Sequence, residues 1–353
     1  MMNPAFARVL AAPIEDRRGL FAETGRRLGT SERNVEKDFW VCRVLDALFN
    51  ELPAGQPRLL FKGGTSLSKA HGLIERFSED IDITVFRDDL GEAASVEELE
   101  AMGRKARTRQ LNAIRDSCSE YINGSFAHDL AKIFKRTLGA ANVSDSGLGV
   151  VSDRDDPDGQ TLLLWYPSAT VTADEYIRPA VRIESGAKSA LDPNASASVI
   201  PYVAAELDDT NFVVSNVTTV AAGRTFWDKI VILHGLRRWF DRRGIVRQEG
   251  QRVTRHYYDV YRLLAAQIGQ DALANRALGL DSARHARMFF NRPDLDLDAA
   301  VAGDFSLTPA AGMMDALKRD YDSMGGMIFG SLPSFEDIIA AIRAIEDTLK
   351  PLR

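Results

Sequence analysis

The stretch FKGGTSLSKAHGLIERFSEDIDITV, residues 61–85, places a Gly-Gly-Thr-Ser turn shortly before an Asp-Ile-Asp triplet. Apolar runs at 58–61 and 81–86 predict two strands, and the apolar residues between them recur at helical spacing. The stretch therefore predicts strand, turn, helix and strand. Because side chains alternate faces along a strand, Asp80 and Asp82 are expected to point the same way.

This arrangement predicts a site for a metal-bound polyphosphate. Two carboxylates on one strand face repel each other unless a cation lies between them, and their hard oxygens favour Mg²⁺ or Mn²⁺. Gly63 and Gly64 let the backbone approach a ligand closely, because no β-carbon intervenes. Thr65 or Ser66 then begins a helix, whose free N–H groups and dipole attract anions. The turn is not a Walker A loop, because the G-x-x-x-x-G-K-[ST] pattern is absent.

The predicted elements follow the order helices, mixed α/β core, then an all-helical region. Helices are predicted at 17–28, 31–52 and, largely, 96–138, with an exposed loop or hairpin at 139–160. Further strands are predicted at 161–166, 180–184 and 212–220. This order indicates an α+β fold. We place the domain boundary near 222, with N-terminal helices and the α/β core in 1–222 and a C-terminal helical domain in 223–353.

The bulk composition is that of an ordinary globular protein, with 353 residues, 45% of them hydrophobic and 27% charged. Two cysteines, Cys42 and Cys118, without metal or redox spacing, suggest a reducing compartment. The N-terminus lacks signal-peptide features and no apolar run approaches 18 residues. We therefore expect a cytoplasmic protein without a membrane span.

The net charge of −6 is unevenly distributed along the chain. Residues 224–262 carry ten Lys or Arg and four Asp or Glu, a local charge of +6, which leaves −12 for the remainder. Such a basic island is either a surface that contacts nucleic-acid phosphates or a solvated helix face with unpaired arginines.

Six segments together resemble the DNA polymerase β-like nucleotidyltransferases. More narrowly, they resemble the AbiEii/AbiGii nucleotidyltransferase family, the toxins of type IV toxin–antitoxin systems. The segments are VEKDFW (35–40), KGGTSLSK (62–69), RFSEDID (76–82), RTFWDKIVILH (224–234), RHYYDVYRL (255–263) and PSFEDI (333–338). The resemblance implies a DNA polymerase β-like core with a mixed sheet, an N-terminal helical segment and a C-terminal helical domain.

The resemblance also implies an activity, namely metal-dependent transfer of a nucleoside monophosphate from an NTP to RNA, with the tRNA 3′ end favoured. It implies a toxin with a cognate antitoxin as partner. Three alternatives stay open: transfer of a nucleotidyl or phosphoryl group to a protein hydroxyl, a non-catalytic partner-binding module on the same fold, and transfer to a small molecule such as an antibiotic. The extended basic segment weighs mildly against the last of these.

The site residues follow from the same resemblance. It implies that Asp80 and Asp82 bind the metal and that the catalytic residues are Asp80, Asp82, Lys229 and Asp259. It implies nucleotide contacts from Gly63, Gly64, Thr65 and Ser66. Arg76 flanks the metal strand and is a further candidate for a phosphate contact, with pairing to Glu79 as the alternative. Lys37 and Asp38 recur in the family's N-terminal segment and are expected to brace the core.

The roles of three residues, Glu184, Lys229 and Asp259, have alternatives. Glu184 ends an alternating apolar run and is the candidate third metal ligand, unless it is a surface residue. Asp174 and Glu175 are weaker candidates for the same role. Lys229 can bury its stem beside Trp227 and present its ammonium to phosphate. Asp259 could orient Lys229 or take a proton from the attacking hydroxyl; otherwise the two form a structural ion pair. An Arg-rich insertion at 242–255 separates their segments and is a second candidate for the nucleic-acid contact.

Overall fold

The computed structural model describes residues 2–78, 80–141, 143, 147–170, 179–207, 211–247 and 251–350. The chain forms two compact units. The first comprises 1–71, 77–94 and 105–220, and the second comprises 72–76, 95–104 and 221–353. The main division therefore falls at 220/221, whereas the sequence predicts 222/223, and two short earlier pieces belong to the second unit.

The strands of the sheet are β1 Leu59–Lys62, β2 Asp80–Val85, β3 Gly149–Ser152, β4 Thr161–Trp165, β5 Ala180–Glu184, β6 Asn194–Val199 and β7 Val214–Val220. The α-helices are α1 Pro4–Ala11, α2 Ile14–Leu28, α3 Glu32–Asp46, α4 Gly63–Lys69, α5 Val96–Ala101, α6 Arg104–Tyr121, α7 Ala127–Ala140, α8 Ala204–Leu207, α9 Ala222–Arg243, α10 Arg255–Ala265, α11 Gln267–Ala274, α12 Arg276–Phe289, α13 Leu297–Val301, α14 Met314–Asp322 and α15 Phe335–Leu349. The helical segment predicted at 96–138 is thus interrupted twice. The first break separates α5 from α6 at 102–103. The second is a π turn at Ile122–Phe126 that contains Gly124 in a non-helical conformation.

The first unit is built on a mixed seven-stranded sheet in the order β3-β4-β5-β2-β1-β7-β6. The central strand β2 runs antiparallel to β1 and parallel to β5, and β1 runs parallel to β7. These pairings confirm the predicted α+β class with a mixed sheet. β6 was not predicted, because its sequence NASASV has no apolar alternation; it is an edge strand paired antiparallel with β7.

Aromatic side chains pack on the sheet of the first unit and hold α3 in place. Trp40 is 1% exposed and stacks on Tyr166 with ring centroids 5.0 Å apart. Phe39 contacts Phe6 and Phe212 edge-on, at 5.3 and 6.2 Å. Such aromatic pairs add about 0.5–1.5 kcal/mol each to the burial of their apolar area. The packing fixes α3, and with it Asp38, against the sheet.

The second unit is helical and is organised around α9, as the sequence predicts. Trp227 is fully buried on α9, and its indole N–H donates to the Ala272 carbonyl at 2.8 Å. A β-carbon at Gly279 would lie 2.7 Å from the Trp227 ring, so α12 needs glycine at this contact. Ser334 caps the start of α15, because its Oγ accepts from the Asp337 N–H at 3.0 Å. Within the described ranges, no helix has the length and apolar character required to cross a bilayer.

Candidate active site

The glycine turn meets the second aspartate of the triplet directly. Lys62, the last residue of β1, pairs with Asp82 in the antiparallel ladder, so the turn follows beside that carboxylate. Gly63 has φ +77°, and a β-carbon built on it would lie 2.0 Å from Asp82 Oδ2. Only glycine permits both this backbone conformation and this approach. The turn and Asp82 therefore form one continuous surface.

Asp80 and Asp82 share one face of β2. Both are half-buried, whereas Ile81 and Ile83 between and after them are fully buried. The burial alternates as the strand period requires. The two carboxylates therefore point away from the core on the same side, as the sequence predicts.

The parallel neighbour β5 adds two charged residues to this face. Arg182 pairs in register with Asp80, and Glu184 pairs with Asp82. Arg182 Nη1 lies 2.6 Å from Glu184 Oε1, and its Nε donates to Asp153 Oδ2 at 3.1 Å. Burial lowers the pKa of the Arg182 guanidinium, but the charges of Glu184, Asp80 and Asp153 outweigh that effect and raise it. Sequence reasoning missed Arg182, although its place two residues before Glu184 puts both side chains on one strand face.

The two hydroxyl residues of the turn are fully buried and act on the turn itself. Thr65 Oγ1 shares hydrogen bonds with Ser78 Oγ, at 2.7 Å, and with the Asp80 carbonyl. Ser66 Oγ donates to the Gly63 carbonyl at 2.9 Å. The bond from Thr65 to Asp80 fastens α4 to β2, and the bond from Ser66 closes the turn on itself. A contact with a triphosphate in this structure would therefore come from the backbone of the turn.

A buried ion pair anchors the other end of α4. Lys69 Nζ lies 2.7 Å from Asp38 Oδ1, and both side chains are about 5% exposed or less. Asp38 Oδ2 accepts from the Tyr202 N–H at 2.7 Å, and the Lys69 ammonium sits 3.7 Å from the centre of the Tyr202 ring. Burial lowers the pKa of Lys69, but the Asp38 carboxylate outweighs it and holds that pKa above its usual range. Asp38 thus braces the core as expected, and its partner is Lys69, the last lysine of KGGTSLSK.

A second charged cluster lies in the second unit and joins Arg76, Lys229 and Asp259. Arg76 binds both carboxylate oxygens of Asp259, with Nε at 2.7 Å and Nη2 at 2.9 Å. Lys229 Nζ lies 2.7 Å from Asp259 Oδ2. Asp259 is completely buried. Burial raises its pKa, but the two cations outweigh burial and hold it well below its usual range.

This geometry bears on the three roles predicted for Asp259, and it fits a structural ion pair with Lys229 as well as an orienting role. A carboxylate that is fully buried and bonded to two cations can orient Lys229 but is poorly placed to accept a proton from substrate. Arg76 is committed to Asp259, and its alternative partner Glu79 lies outside the described residues. A phosphate contact by Arg76 stays a prediction.

The Arg-rich insertion leaves the Lys229–Asp259 pair intact. Asp320 holds the C-terminal end of the insertion. It accepts from the N–H groups of Arg252 and Thr254, both at 2.8 Å, and from the Thr254 hydroxyl at 2.7 Å. α10 then begins at Arg255 and carries Asp259 into place.

The basic island is largely neutralised within the second unit. Its arginines form ion pairs with acidic side chains, many of them from residues 281–304. The pairs are Arg224 with Asp228 and Asp281, Arg237 with Asp241, Arg238 with Asp296 and Asp304, Arg242 with Asp296, Arg243 with Asp294, and Arg262 with Glu75. These arginines are therefore paired, contrary to the interpretation of a helix face with unpaired arginines, and their contact with nucleic-acid phosphates stays a prediction.

A divalent cation fits the first unit's site through two carboxylates. In the part of the chain that the structure describes, no three His, Cys, Asp or Glu side chains are grouped to hold a metal. Asp80 and Asp82 nevertheless offer hard oxygens on one face, and Mg²⁺ commonly takes one or two carboxylates together with water and substrate phosphates. Glu184, the predicted third ligand, stands in register with Asp82 but is bonded to Arg182. The weaker candidates, Asp174 and Glu175, lie outside the residues that the structure describes.

Comparison with known proteins places the chain in a family. The family model of the AbiEii nucleotidyl transferase toxins of type IV toxin–antitoxin systems matches residues 43–341. The fold is similar to that of MenT4, a nucleotidyltransferase toxin from Mycobacterium tuberculosis H37Rv, with a TM-score of 0.52 and 17% identity over 95% of this chain and 90% of that one. Curated proteins give no significant sequence match. The family match spans most of the chain, so the protein belongs to the AbiEii nucleotidyltransferase toxin family.

Proposed function

We propose that this AbiEii-family nucleotidyltransferase uses Mg²⁺ or Mn²⁺ to transfer a nucleoside monophosphate from an NTP to RNA, with the 3′ end of tRNA as the preferred acceptor. The observation that carries the proposal is the contact between the glycine turn and Asp82. It brings a backbone that can approach phosphates against a pair of carboxylates that can hold their counter-ion.

Each part of the first unit's site has a role in this proposal. Asp80 and Asp82 would hold the divalent cation, which when bound neutralises phosphate charge and orients the substrate. The backbone of the turn at 63–66 receives the triphosphate. The buried hydroxyl of Thr65 keeps that turn against β2, and the hydroxyl of Ser66 bonds within the turn. The attacking hydroxyl displaces pyrophosphate from the α-phosphorus.

In the second unit, Lys229 is the positive charge that the family resemblance assigns to catalysis. Asp259 fixes its position from one carboxylate oxygen, and Arg76 fixes Asp259 in turn. Positive charge held in advance of the reaction stabilises the negative charge that develops during phosphoryl transfer. The family also implies an antitoxin as the physiological partner of the chain.

The acceptor class rests on the resemblance, since the basic island is neutralised by internal ion pairs. The test is to incubate the protein with each labelled NTP, Mg²⁺ and total tRNA, and in parallel with lysate protein. We expect label in the tRNA band with one preferred NTP, and none with Asp80→Ala at unchanged folding. Label in protein bands instead would support transfer to a protein hydroxyl, and full activity of Asp80→Ala would end the proposal.

A further inference from the structure

The face formed by Asp80, Asp82, Arg182 and Glu184, which we call the carboxylate face, contains its own counter-ions. Three carboxylates lie on neighbouring positions of β2 and β5. Arg182 bonds one of them directly, at 2.6 Å from Glu184. Lys62 Nζ approaches another, at 3.9 Å from Asp82 Oδ1. Positive side chains thus stand where a divalent cation would otherwise offset the charge.

The position of Glu184 is close to that of a third metal ligand. Its register with Asp82 puts the two α-carbons about 5 Å apart and their side chains on one face, within reach of a shared cation. Its carboxylate is nevertheless held by the guanidinium of Arg182. The register of the backbone thus places Glu184 beside Asp82, while its side chain is paired with Arg182.

We propose that Arg182 is a positioning residue, which holds Glu184 while the carboxylate face is free of metal and releases it to a divalent cation bound at Asp80 and Asp82. The inference rests on the proposed function only in taking those two aspartates as the cation's ligands. Arg182 does not lose all its partners in the exchange, because its Nε remains bonded to Asp153, which is 9% exposed. Arg182 and Glu184 are both about 40% exposed, so the two side chains have room to separate.

The test measures Mn²⁺ binding by electron paramagnetic resonance with the full chain, without NTP or acceptor. Arg182→Gln should bind Mn²⁺ about tenfold more tightly, because it frees the Glu184 carboxylate for the cation and also removes a like charge beside it. Arg182→Lys should remain within about twofold of the original protein, because it keeps the charge that holds Glu184. In a Glu184→Gln background, the gain from Arg182→Gln should fall to about threefold or less, because only the direct repulsion between Arg182 and the cation is then removed.

A matched control removes the same charge at the other end of the β1–β2 ladder. Arg58 forms a bidentate pair with Asp89 next to the start of β1, whereas Lys62 and Asp82 lie at its end. Arg58→Gln should leave Mn²⁺ affinity unchanged, and circular dichroism should show that every variant folds.

The inference is overturned by unchanged or weaker Mn²⁺ binding in Arg182→Gln, by an equal gain in the Glu184→Gln background, or by no Mn²⁺ binding in either protein. If Arg182→Gln fails to fold, Glu184→Gln tests the inference instead. It should weaken Mn²⁺ binding by about threefold or more. Unchanged Mn²⁺ affinity in that variant would count against the exchange of Glu184 from Arg182 to the cation. The readout involves no transfer, so absence of labelled RNA would contradict the proposed function and leave this result standing.

Discussion

Lys229 and Asp259 meet at 2.7 Å in the buried interior of the second unit, although an Arg-rich insertion separates their segments. The pair is completed by Arg76, so one carboxylate binds two cations. Residues with a proposed catalytic role thus also form part of the core, and their substitution affects stability as well as activity.

Removing the Asp259 charge should destabilise the protein strongly. Asp259→Asn leaves Arg76 and Lys229 buried without their counter-ion, and breaking a buried pair in this way costs about 3–5 kcal/mol. Urea unfolding should show a lowered midpoint. The control is Asp241→Asn, whose carboxylate pairs with Arg237 on the surface of α9 and should cost no more than about 1 kcal/mol. Equal effects of the two substitutions would show that the buried cluster contributes no special stability.

Gly63→Ala should abolish nucleotidyl transfer while the chain still folds. The new β-carbon would collide with the Asp82 carboxylate and displace either the turn or the metal ligand. Gly55→Ala is the control, because Gly55 also has positive φ, +85°, but has nothing within 4 Å of the added carbon. It should lose only about 1–2 kcal/mol of stability from the strained backbone. Transfer of labelled nucleotide by Gly63→Ala at the original rate would contradict the site.

The helix α4 should depend on its anchor at Lys69. Lys69→Met leaves the Asp38 carboxylate buried without its cation and should destabilise the protein by about 3–5 kcal/mol. Replacing both partners, as Asp38→Leu with Lys69→Met, should recover part of that loss because no unpaired charge remains. Thermal unfolding of the two variants measures the difference. A double variant less stable than Lys69→Met would refute the idea that the unpaired charge is the cause.

Stability should fall on mild acidification because of His234. Its Nδ1 accepts from the Ser306 N–H at 3.1 Å, so the ring proton is on Nε2, which lies 3.0 Å from the Asp296 carbonyl. Burial lowers the pKa of His234, whereas the unfolded chain takes up the proton near pH 6.5. The unfolded state therefore binds more protons below that pH, and the free energy of unfolding declines there by at most about 1.4 kcal/mol per pH unit from this group.

Urea unfolding at pH 7.5 and 5.5 checks this sign. His234→Gln keeps a donor and an acceptor but cannot titrate, so its stability should differ less between the two pH values than that of the original protein. An identical difference in both proteins would exclude His234 as the source of the acid sensitivity.

Much of the first unit's site was predictable, because it depends on neighbours in the chain. The strand alternation that puts Asp80 and Asp82 on one face acts between residues two apart. The need for glycine at residue 63 follows from a turn between two predicted strands. β6 was not predicted, because its small polar residues form no apolar pattern and the strand is stabilised by its pairing with β7.

The charged partners could not be assigned in this way. Sequence alone was enough for the elements, the glycine turn and the family, because hydrophobic periodicity and backbone preference are local properties. Tertiary packing was needed to choose Arg76 for Asp259, 183 residues away, and to set Glu184 beside Asp82 with Arg182 as its partner. The sequence of a carboxylate's own segment does not name its cation, so the partner is decided by which distant segment the fold brings within about 3 Å.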